Sequence, residues 1–261
     1  MTPISDAFAG QGLHERRVRS LFPNAFEWSE PAPRFSKPLY ILAFTNRSGS
    51  NLLADYLRQT GKFRGFGEGL NGDEVERSVV RRPVDSFPDY ITLLAGPLNE
   101  PGFWGIKASW DQIIMLYRAN IPAMFAGARI IHSIRQDLLG QAVSHWIAHQ
   151  TKQWTSAHKE SRISPTFDGD RIEEILMNNL RSNCHIALVS QTLGILRHAV
   201  VYEKLQDNPE QEIKRLGETM SIDLTDWQPG APGISRQRDH VNDSFRDACF
   251  DAWRSAILTR D

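Results

Sequence analysis

Cysteine is nearly absent from this chain, which carries only Cys184 and Cys249 among its 261 residues. The two lie far apart, and neither belongs to a CxxC pair or stands beside a histidine-rich stretch. This scarcity favours neither a structural zinc site nor a disulfide framework. We interpret both cysteines as buried, reduced thiols.

An excess of charge is also lacking, since 30 lysines and arginines stand against 31 aspartates and glutamates. A formal net charge of -1 gives no general reason to bind nucleic acid or an anionic membrane, so any anion site must be local. Apolar runs long enough to span a membrane, about 18 residues, are missing, as is a basic leader followed by an apolar core. We therefore expect a cytoplasmic protein with no transmembrane segment.

The composition that remains is that of a globular protein, with 41% apolar and 23% charged residues. Chains of this length with an α/β pattern often close around one core. We expect a single domain over residues 38–261. Residues 1–37, which contain four prolines, are expected to form an N-terminal extension that packs on it.

A strand, a tight loop and a helix follow one another from residue 39 onward. Leu39–Phe44 is a continuous apolar run of strand length, Thr45–Ser50 is small and polar, and apolar residues then recur at helical spacing up to Gly61. The same order repeats downstream. Strands are predicted over 103–107, 128–134 and 198–202, and helices after Asp137 and over 169–192. This alternation predicts an open, mostly parallel sheet with helices on both faces.

Two stretches depart from the alternation. Residues 71–101 are rich in arginine, proline and aspartate, and residues 152–168 contain Trp154 and Pro165. Both are long enough to be lids or substrate-contacting loops, and we expect them near an acceptor site. The chain is expected to end in a short helix.

The loop after the first strand is the first candidate anion site. A loop at this place points its backbone N–H groups and the positive end of the helix dipole beyond the strand ends. Arg47, Ser48, Gly49, Ser50 and Asn51 supply small residues, two hydroxyl groups and one fixed positive charge. The lysine and Ser or Thr that complete a nucleoside-triphosphate loop are missing, which argues against magnesium-assisted ATP chemistry.

A second anion subsite is predicted from Arg135 and Ser144. Arg135 follows the strong strand ARIIHSI, and Ser144 lies about two turns into the next helix, so both can reach one phosphate. Two separated anion subsites on one sheet suit a nucleotide that is charged at both the 5′ and 3′ ends of its ribose. His132, His145 and His149 are alternative sources of a base. His145 and His149, at i and i+4, could also bind a metal, but no third ligand stands at a recognisable spacing.

Together, the segments RSGS, GIKASW, HSIRQDLLGQAVSHW and SRQRD resemble the bacterial trehalose 2-sulfotransferase family. This family is a branch of the sulfotransferases that depend on 3′-phosphoadenosine-5′-phosphosulfate (PAPS). The resemblance spans about residues 38–245. It implies a P-loop NTPase-like α/β fold, no metal, often a homodimer, and transfer of a sulfuryl group from PAPS to a hydroxyl of a carbohydrate or glycoconjugate. The product nucleotide would be 3′,5′-bisphosphoadenosine (PAP).

The resemblance also implies roles for individual residues. Arg47 to Asn51 resemble the 5′-phosphosulfate loop, Arg135 with Ser144 the pair that binds the 3′-phosphate, and Arg236, Gln237 and Arg238 a stretch that closes over the donor. Lys107 is placed near the transferring group.

Glu68 is the expected base, because the chain returns across the top of the sheet there and family members carry a catalytic glutamate at this place. Glycines surround Glu68 where other members carry a proline and bulky aromatic residues, which indicates a differently shaped acceptor pocket.

Two other functions stay open on the sequence alone. One is a non-catalytic protein that binds an adenosine bisphosphate, and the other is a P-loop kinase. Acceptors compatible with the resemblance are a trehalose-like sugar, a glycolipid or lipopolysaccharide.

Overall fold

The computed structural model of the chain describes residues 4–98, 100–154, 163–233 and 240–259. Five strands form one sheet: β1 Leu39–Phe44, β2 Phe63–Gly67, β3 Phe103–Ala108, β4 Ala128–Ile134 and β5 Leu196–Val201. The helices are α1 Ile4–Ala9, α2 Leu13–Leu21, α3 Ser50–Gln59, α4 Gly72–Arg81, α5 Phe87–Ala95, α6 Trp110–Arg118, α7 Leu138–Thr151, α8 Gly169–Thr192, α9 Tyr202–Asp207, α10 Pro209–Met220 and α11 His240–Leu258, with a short 3-10 helix at Ile121–Met124.

The sheet is parallel throughout, with strand order β2-β3-β1-β4-β5. The central strand β1 is buried almost along its whole length, as its unbroken apolar sequence predicted. On one face, the core contains residues of β1, α5, α6 and the C-terminal half of α8. On the other face, α3, α9 and α10 cover it. The expected open parallel sheet with helices on both faces is confirmed.

The N-terminal residues pack against the first of these core faces. Val18 of α2 belongs to the core, and so do Phe22, Phe26 and Trp28 beyond the helix. Glu15 is buried between the guanidinium groups of Arg19 and Arg118. The boundary expected at residue 38 stays a proposal about domain organisation.

The prediction that residues 71–101 form a loop is wrong, because α4 and α5 occupy most of it. Phe87, Tyr90 and Ile91 are fully buried on one face of α5, and the Phe26 and Phe87 rings stack with centroids 5.5 Å apart. Ser86 caps α5 by accepting a hydrogen bond from the Asp89 N–H. The arginines and prolines of this stretch lie around a helix with an ordinary apolar face.

Three smaller expectations also need correction. Strand β5 begins at Leu196, which pairs with Arg129, and it ends before Tyr202, which starts α9. The last helix is long, with 19 residues, because Phe245 and Cys249 pack it against α7. Cys184 is exposed, and only Cys249 is buried. Among the described residues, no helix has the length and apolar character needed to cross a membrane.

Candidate functional site

Most of the residues that were singled out from the sequence, and that the structure describes, gather at one edge of the sheet, where the five parallel strands end. Ligands of open α/β sheets bind outside this edge, beside the strand where the order of connection reverses, which here is β1. The edge carries Thr45–Asn51 after β1, Glu68 after β2, Lys107 near the end of β3, Arg135 after β4, and Tyr202 with Glu203 after β5.

Gly49 shapes the loop between β1 and α3. Its φ is +86°, in the left-handed region that favours glycine, and it is the N-cap residue of α3. A Cβ at this position would lie 2.0 Å from the Tyr202 ring, so the ring and the loop pack in direct contact. The sequence needs glycine here both for the turn and for this close approach.

The loop offers hydrogen-bond donors to an anion. Since α3 begins at Ser50, the N–H groups of Ser50, Asn51 and Leu52 have no carbonyl partner within the helix, and the positive end of the helix dipole lies at the same point. The Ser48 hydroxyl is fully buried and makes no hydrogen bond to any residue within the described ranges. A phosphate or sulfate group at the loop would meet these donors together.

The Arg47 side chain crosses from the loop to α7. Its Nε donates to Ser144 Oγ at 2.9 Å, and its Nη1 donates to the Trp154 carbonyl at 2.7 Å. Burial, and after it the charge of nearby Arg135, lowers the pKa of Arg47 from its usual value. The structure therefore brings Arg47 and Ser144, one residue from each predicted anion subsite, into direct contact.

Arg135 lies under the same loop. Its Nη1 donates to the Arg47 carbonyl at 3.1 Å, and its guanidinium lies 4.8 Å from the centre of the Tyr202 ring. Glu203 holds the turn after β4 by accepting from the N–H groups of Gln136 and Asp137, and its carboxylate is 3.6 Å from Arg135 Nε. These contacts fix the guanidinium between the loop and α9.

Lys107 and Glu68 form the second group of the site. Lys107 is 2% exposed, and its ammonium donates to Glu68 Oε1 at 2.8 Å and to Asn51 Oδ1 at 2.6 Å. The Phe44 ring lies 4.6 Å from Lys107 Nζ, as in a cation–π contact. The Glu68 side chain is 47% exposed, so its carboxylate contacts the buried ammonium on one side and solvent on the other.

Burial lowers the pKa of Lys107, and the neighbouring Glu68 carboxylate opposes this by its charge and its hydrogen bond. The site thus combines a buried cation, an accessible carboxylate and the anion-binding loop at the start of α3. Such a set can stabilise negative charge on a transferred group and accept a proton from an attacking hydroxyl.

Sequence reasoning missed some of the residues that position this site. Gln141 is fully buried and donates through Nε2 to Thr45 Oγ1 and to the Asn46 carbonyl, both at 2.8 Å, which joins the loop to α7. It precedes Ser144 by three residues, so the two share a helix face, and this spacing was a usable signal. The contact of Tyr202 with the loop had no signal in the sequence.

Two predicted parts of the site fall wholly or partly outside the described ranges. Arg236, Gln237 and Arg238 lie outside them, and so do residues 155–162 of the expected 152–168 loop. The preceding segment is described: the Gly230 N–H donates to Gln59 Oε1, and the Gly233 N–H to Asp55 Oδ2, both on α3. The chain is thus bound to α3 just before the predicted closing stretch.

A half-buried histidine, His145, also lies at the site. His145 stands 3.4 Å from the Asn46 amide nitrogen and edge-on to the Trp154 ring. Burial first, then the charges of His149 and Arg47, lowers the pKa of His145 to about 4. No group of three metal-ligating side chains occurs in the part of the chain that the structure describes.

Stability should fall in mild acid because of His132. Burial is the main cause that lowers the pKa of His132 from 6.5 to about 4, and Arg197 donates to its Nδ1 at 3.2 Å. Since the folded protein then binds fewer protons than the unfolded chain, the stabilisation is complete above pH 6.5 and is lost as the pH falls towards 4. The full effect is about 3 kcal/mol for a shift of this size.

Urea unfolding at pH 7.5 and pH 5 measures this prediction. His132→Gln is expected to reduce the loss of stability between the two pH values, whereas the exposed-site control His240→Gln is expected to keep it. An unchanged pH dependence in His132→Gln would contradict the assignment.

A sequence model of the Stf0 sulphotransferase family matches residues 100–249, more than half of the chain. The chain therefore belongs to the Stf0 sulphotransferase family. Lys107, Arg135 and Ser144 lie within the matched residues, and Arg47 and Glu68 precede them. Membership makes the chain a transferase whose reaction is sulfuryl transfer.

Among solved structures, the sulfotransferase domain of the Synechococcus PCC 7002 olefin synthase is 14% identical and has a TM-score of 0.49, over 85% of this chain and 98% of that domain. Sulfotransferase STF9 from Mycobacterium avium is also 14% identical, with a TM-score of 0.47 over 99% of this chain and 77% of that one. Mouse sulfotransferase SULT7A1, solved in complex with PAP, is 12% identical, with a TM-score of 0.43 over 85% and 69%. No curated protein sequence matches the chain.

Proposed function

We propose that this chain transfers a sulfuryl group from PAPS to a hydroxyl of a carbohydrate or glycoconjugate. The observation that carries the proposal is the contact between the two anion subsites: Arg47 Nε lies 2.9 Å from Ser144 Oγ, and Arg135 Nη1 lies 3.1 Å from the Arg47 carbonyl. Subsites this close can bind the two ends of one adenosine bisphosphate. Subsites on different faces of the molecule could not.

The donor would bind with its 5′-phosphosulfate at the start of α3. There the loop N–H groups, the Ser48 hydroxyl and the helix dipole meet the anion. The 3′-phosphate would lie between Arg135 and Ser144, where the planar guanidinium can donate two parallel hydrogen bonds. Ser144 Oγ accepts from Arg47 Nε, which leaves its own O–H to donate to the 3′-phosphate.

The transfer step needs an acceptor oxygen in line with the bond that breaks. As the new S–O bond forms, the bond between sulfur and the 5′-phosphate oxygen breaks, PAP leaves, and the acceptor proton passes to Glu68. Lys107 and Arg47 would stabilise the charge that grows on the sulfuryl and phosphate oxygens. The 2.8 Å contact between Lys107 Nζ and Glu68 Oε1 supports these two roles, because the proposed base and the proposed cation lie side by side.

A carbohydrate acceptor is proposed from the resemblance to the trehalose 2-sulfotransferase family. A trehalose-like sugar, a glycolipid and lipopolysaccharide all present secondary hydroxyls to a partly exposed carboxylate such as Glu68. The proposal includes closure of Arg236, Gln237 and Arg238 over the donor, a cytoplasmic location and a homodimer. Sedimentation in the presence of PAP tests the dimer.

Incubation with sulfur-labelled PAPS and a panel of sugars, glycolipids and lipopolysaccharide tests the function. We expect label on at least one glycan, and loss of that label in Arg47→Ala and in Glu68→Gln. Arg254→Ala, on the exposed surface of α11, is the matched control and should retain transfer. Tight PAP binding with no transfer to any acceptor would instead favour a non-catalytic adenosine-bisphosphate-binding protein. ATP consumption that requires magnesium would favour a kinase.

A further inference from the structure

Strand β2 contains one extra residue just before Glu68. Its pairing with β3 runs regularly from Phe63 opposite Phe103 to Gly65 opposite Gly105, and then shifts, so that Gly67 lies opposite Ile106. Phe66 is the residue left over, a β-bulge in a parallel pair. Its φ is +58°, a left-handed conformation that is rare for an aromatic residue.

This shift decides the face of the sheet on which Glu68 lies. In the regular register, Glu68 would lie opposite Ala108 and point to the opposite face from Lys107, because side chains alternate along a strand. With the extra residue, extending the observed Gly67–Ile106 pairing by one residue would set Glu68 opposite Lys107. The 2.8 Å distance between Glu68 Oε1 and Lys107 Nζ shows that they do meet on one face.

The Phe66 ring of the bulge packs directly on Gly105 of β3. A Cβ on Gly105 would lie 2.1 Å from Cε1 of Phe66 and 2.5 Å from two further ring atoms, so the ring covers the place where a side chain would be. Phe66 is 2% exposed and packs near Phe63, with ring centroids 5.9 Å apart. Gly105 precedes Lys107 by two residues on the same face of β3. The bulge is therefore anchored beside the lysine that Glu68 contacts.

We propose that Phe66 and Gly105 are positioning residues for sulfuryl transfer: the Phe66 ring, seated on Gly105, holds the bulge that turns Glu68 towards Lys107. The inference rests on the proposed function, in which Glu68 accepts the proton of the acceptor. It explains the orientation of the proposed base by the packing of one ring. It also gives a reason for glycine at position 105 in the middle of a buried strand, where glycine is otherwise unfavourable.

Gly105→Ala tests the proposal, because its methyl group displaces the Phe66 ring. We expect a fall in kcat of about 10- to 100-fold, with PAP affinity within about twofold of the wild type, since the donor loop lies on other strands. In the Glu68→Gln background the same substitution should change kcat by less than about twofold, because residues that act through one group are not additive. Gly169→Ala, at the start of α8 where a Cβ meets only ordinary contacts at 3.5 Å and beyond, is the matched control and should change neither.

The titration of the Lys107 amine, followed by NMR in 15N-lysine-labelled protein, is a readout independent of activity. Glu68→Gln removes a carboxylate that raises the pKa of Lys107, so its titration should move to lower pH. Gly105→Ala should cause a shift in the same direction. Phe66→Ala/Gly105→Ala has no clash but also lacks the ring that holds the bulge, so it should recover neither kcat nor the Lys107 titration relative to Gly105→Ala.

The outcomes separate the inference from the function on which it rests. If Glu68→Gln keeps full transfer, the assignment of the base is wrong. If Glu68→Gln loses transfer but Gly105→Ala lowers kcat equally in both backgrounds, or leaves the Lys107 titration unchanged, the positioning role is wrong. If Gly105→Ala does not fold, Phe66→Ala alone is used. Phe66→Ala creates no clash, but it removes the ring, so it should still shift the Lys107 titration to lower pH. An unshifted titration would overturn the proposal.

Discussion

Replacing Glu68 by glutamine is expected to lower kcat by about 10²- to 10⁴-fold, the range that a positioned general base contributes. The glutamine keeps the volume of the side chain, and its amide oxygen can still accept the hydrogen bond from Lys107 Nζ, now 2.8 Å from Glu68 Oε1. The proton of the acceptor hydroxyl, however, no longer has a carboxylate to receive it. Since 47% of the Glu68 side chain is exposed, the loss should not disturb the core.

The measurement is kcat and KM for PAPS and for the acceptor, together with PAP affinity by calorimetry. PAP affinity should stay within about threefold, because the predicted donor contacts come from the β1–α3 loop and from Arg135 and Ser144. Asp251→Asn, an exposed carboxylate paired with Arg254 on α11, is the matched control and should leave kcat unchanged. Full activity in Glu68→Gln would remove Glu68 from the mechanism and make His145 the next residue to test.

The elements that the sequence predicts well are those whose own residues decide the structure. β1 is an unbroken apolar run and β4 contains three isoleucines, and their observed bounds, Leu39–Phe44 and Ala128–Ile134, are those expected. Helix α7 begins after Asp137, which accepts a hydrogen bond from the Gly140 N–H as an N-cap does. In each case local sequence and tertiary burial favour the same conformation.

The elements that were missed are those for which local sequence and tertiary structure disagree. Phe63–Gly67 contains two glycines and a bulge, so it has the composition of a turn, and only pairing with β3 makes it a strand. In α5 the helical spacing of Phe87, Tyr90 and Ile91 was present. The arginines and prolines around it have the composition of a loop, which favoured the wrong prediction.

The candidate site follows the same division. That Arg47, Lys107 and Arg135 lie together could be expected, because each stands at or near the carboxyl end of a parallel strand. The partners that hold them could not be expected: the Tyr202 ring fits Gly49 only once β5 and α9 are placed beside β1. Spacing along the chain predicts which edge of the sheet a residue occupies, but not which side chains it contacts there.

Replacing Arg47 by alanine is expected to weaken PAP binding by about 10- to 100-fold, the equivalent of one charge-assisted hydrogen bond of about 1.5–3 kcal/mol. A larger fall, about 10³-fold, is expected in kcat/KM, because the same guanidinium would also stabilise charge that grows only in the transition state. Calorimetry with PAP and the labelled-PAPS assay measure the two effects separately.

The substitution Arg47→Gly distinguishes the effect of losing the side chain from the effect of backbone strain. Arg47 has a φ of +62°, so alanine keeps the left-handed strain, whereas glycine relieves it. Both variants lose the guanidinium and its contacts with Ser144 Oγ and the Trp154 carbonyl. If the guanidinium binds the donor, Arg47→Ala and Arg47→Gly should lose PAP affinity equally, and Arg47→Gly should melt at the higher temperature of the two.

Lysine at position 47 tests the shape of the group as well as its charge. Arg47→Lys keeps a positive charge but has one nitrogen in place of the planar group that donates to both Ser144 and Trp154, so we expect only partial recovery of PAP affinity. Full recovery would mean that charge alone matters at this position. Wild-type PAP affinity in Arg47→Ala would show that the donor binds elsewhere, and the assignment of the β1–α3 loop would then be wrong.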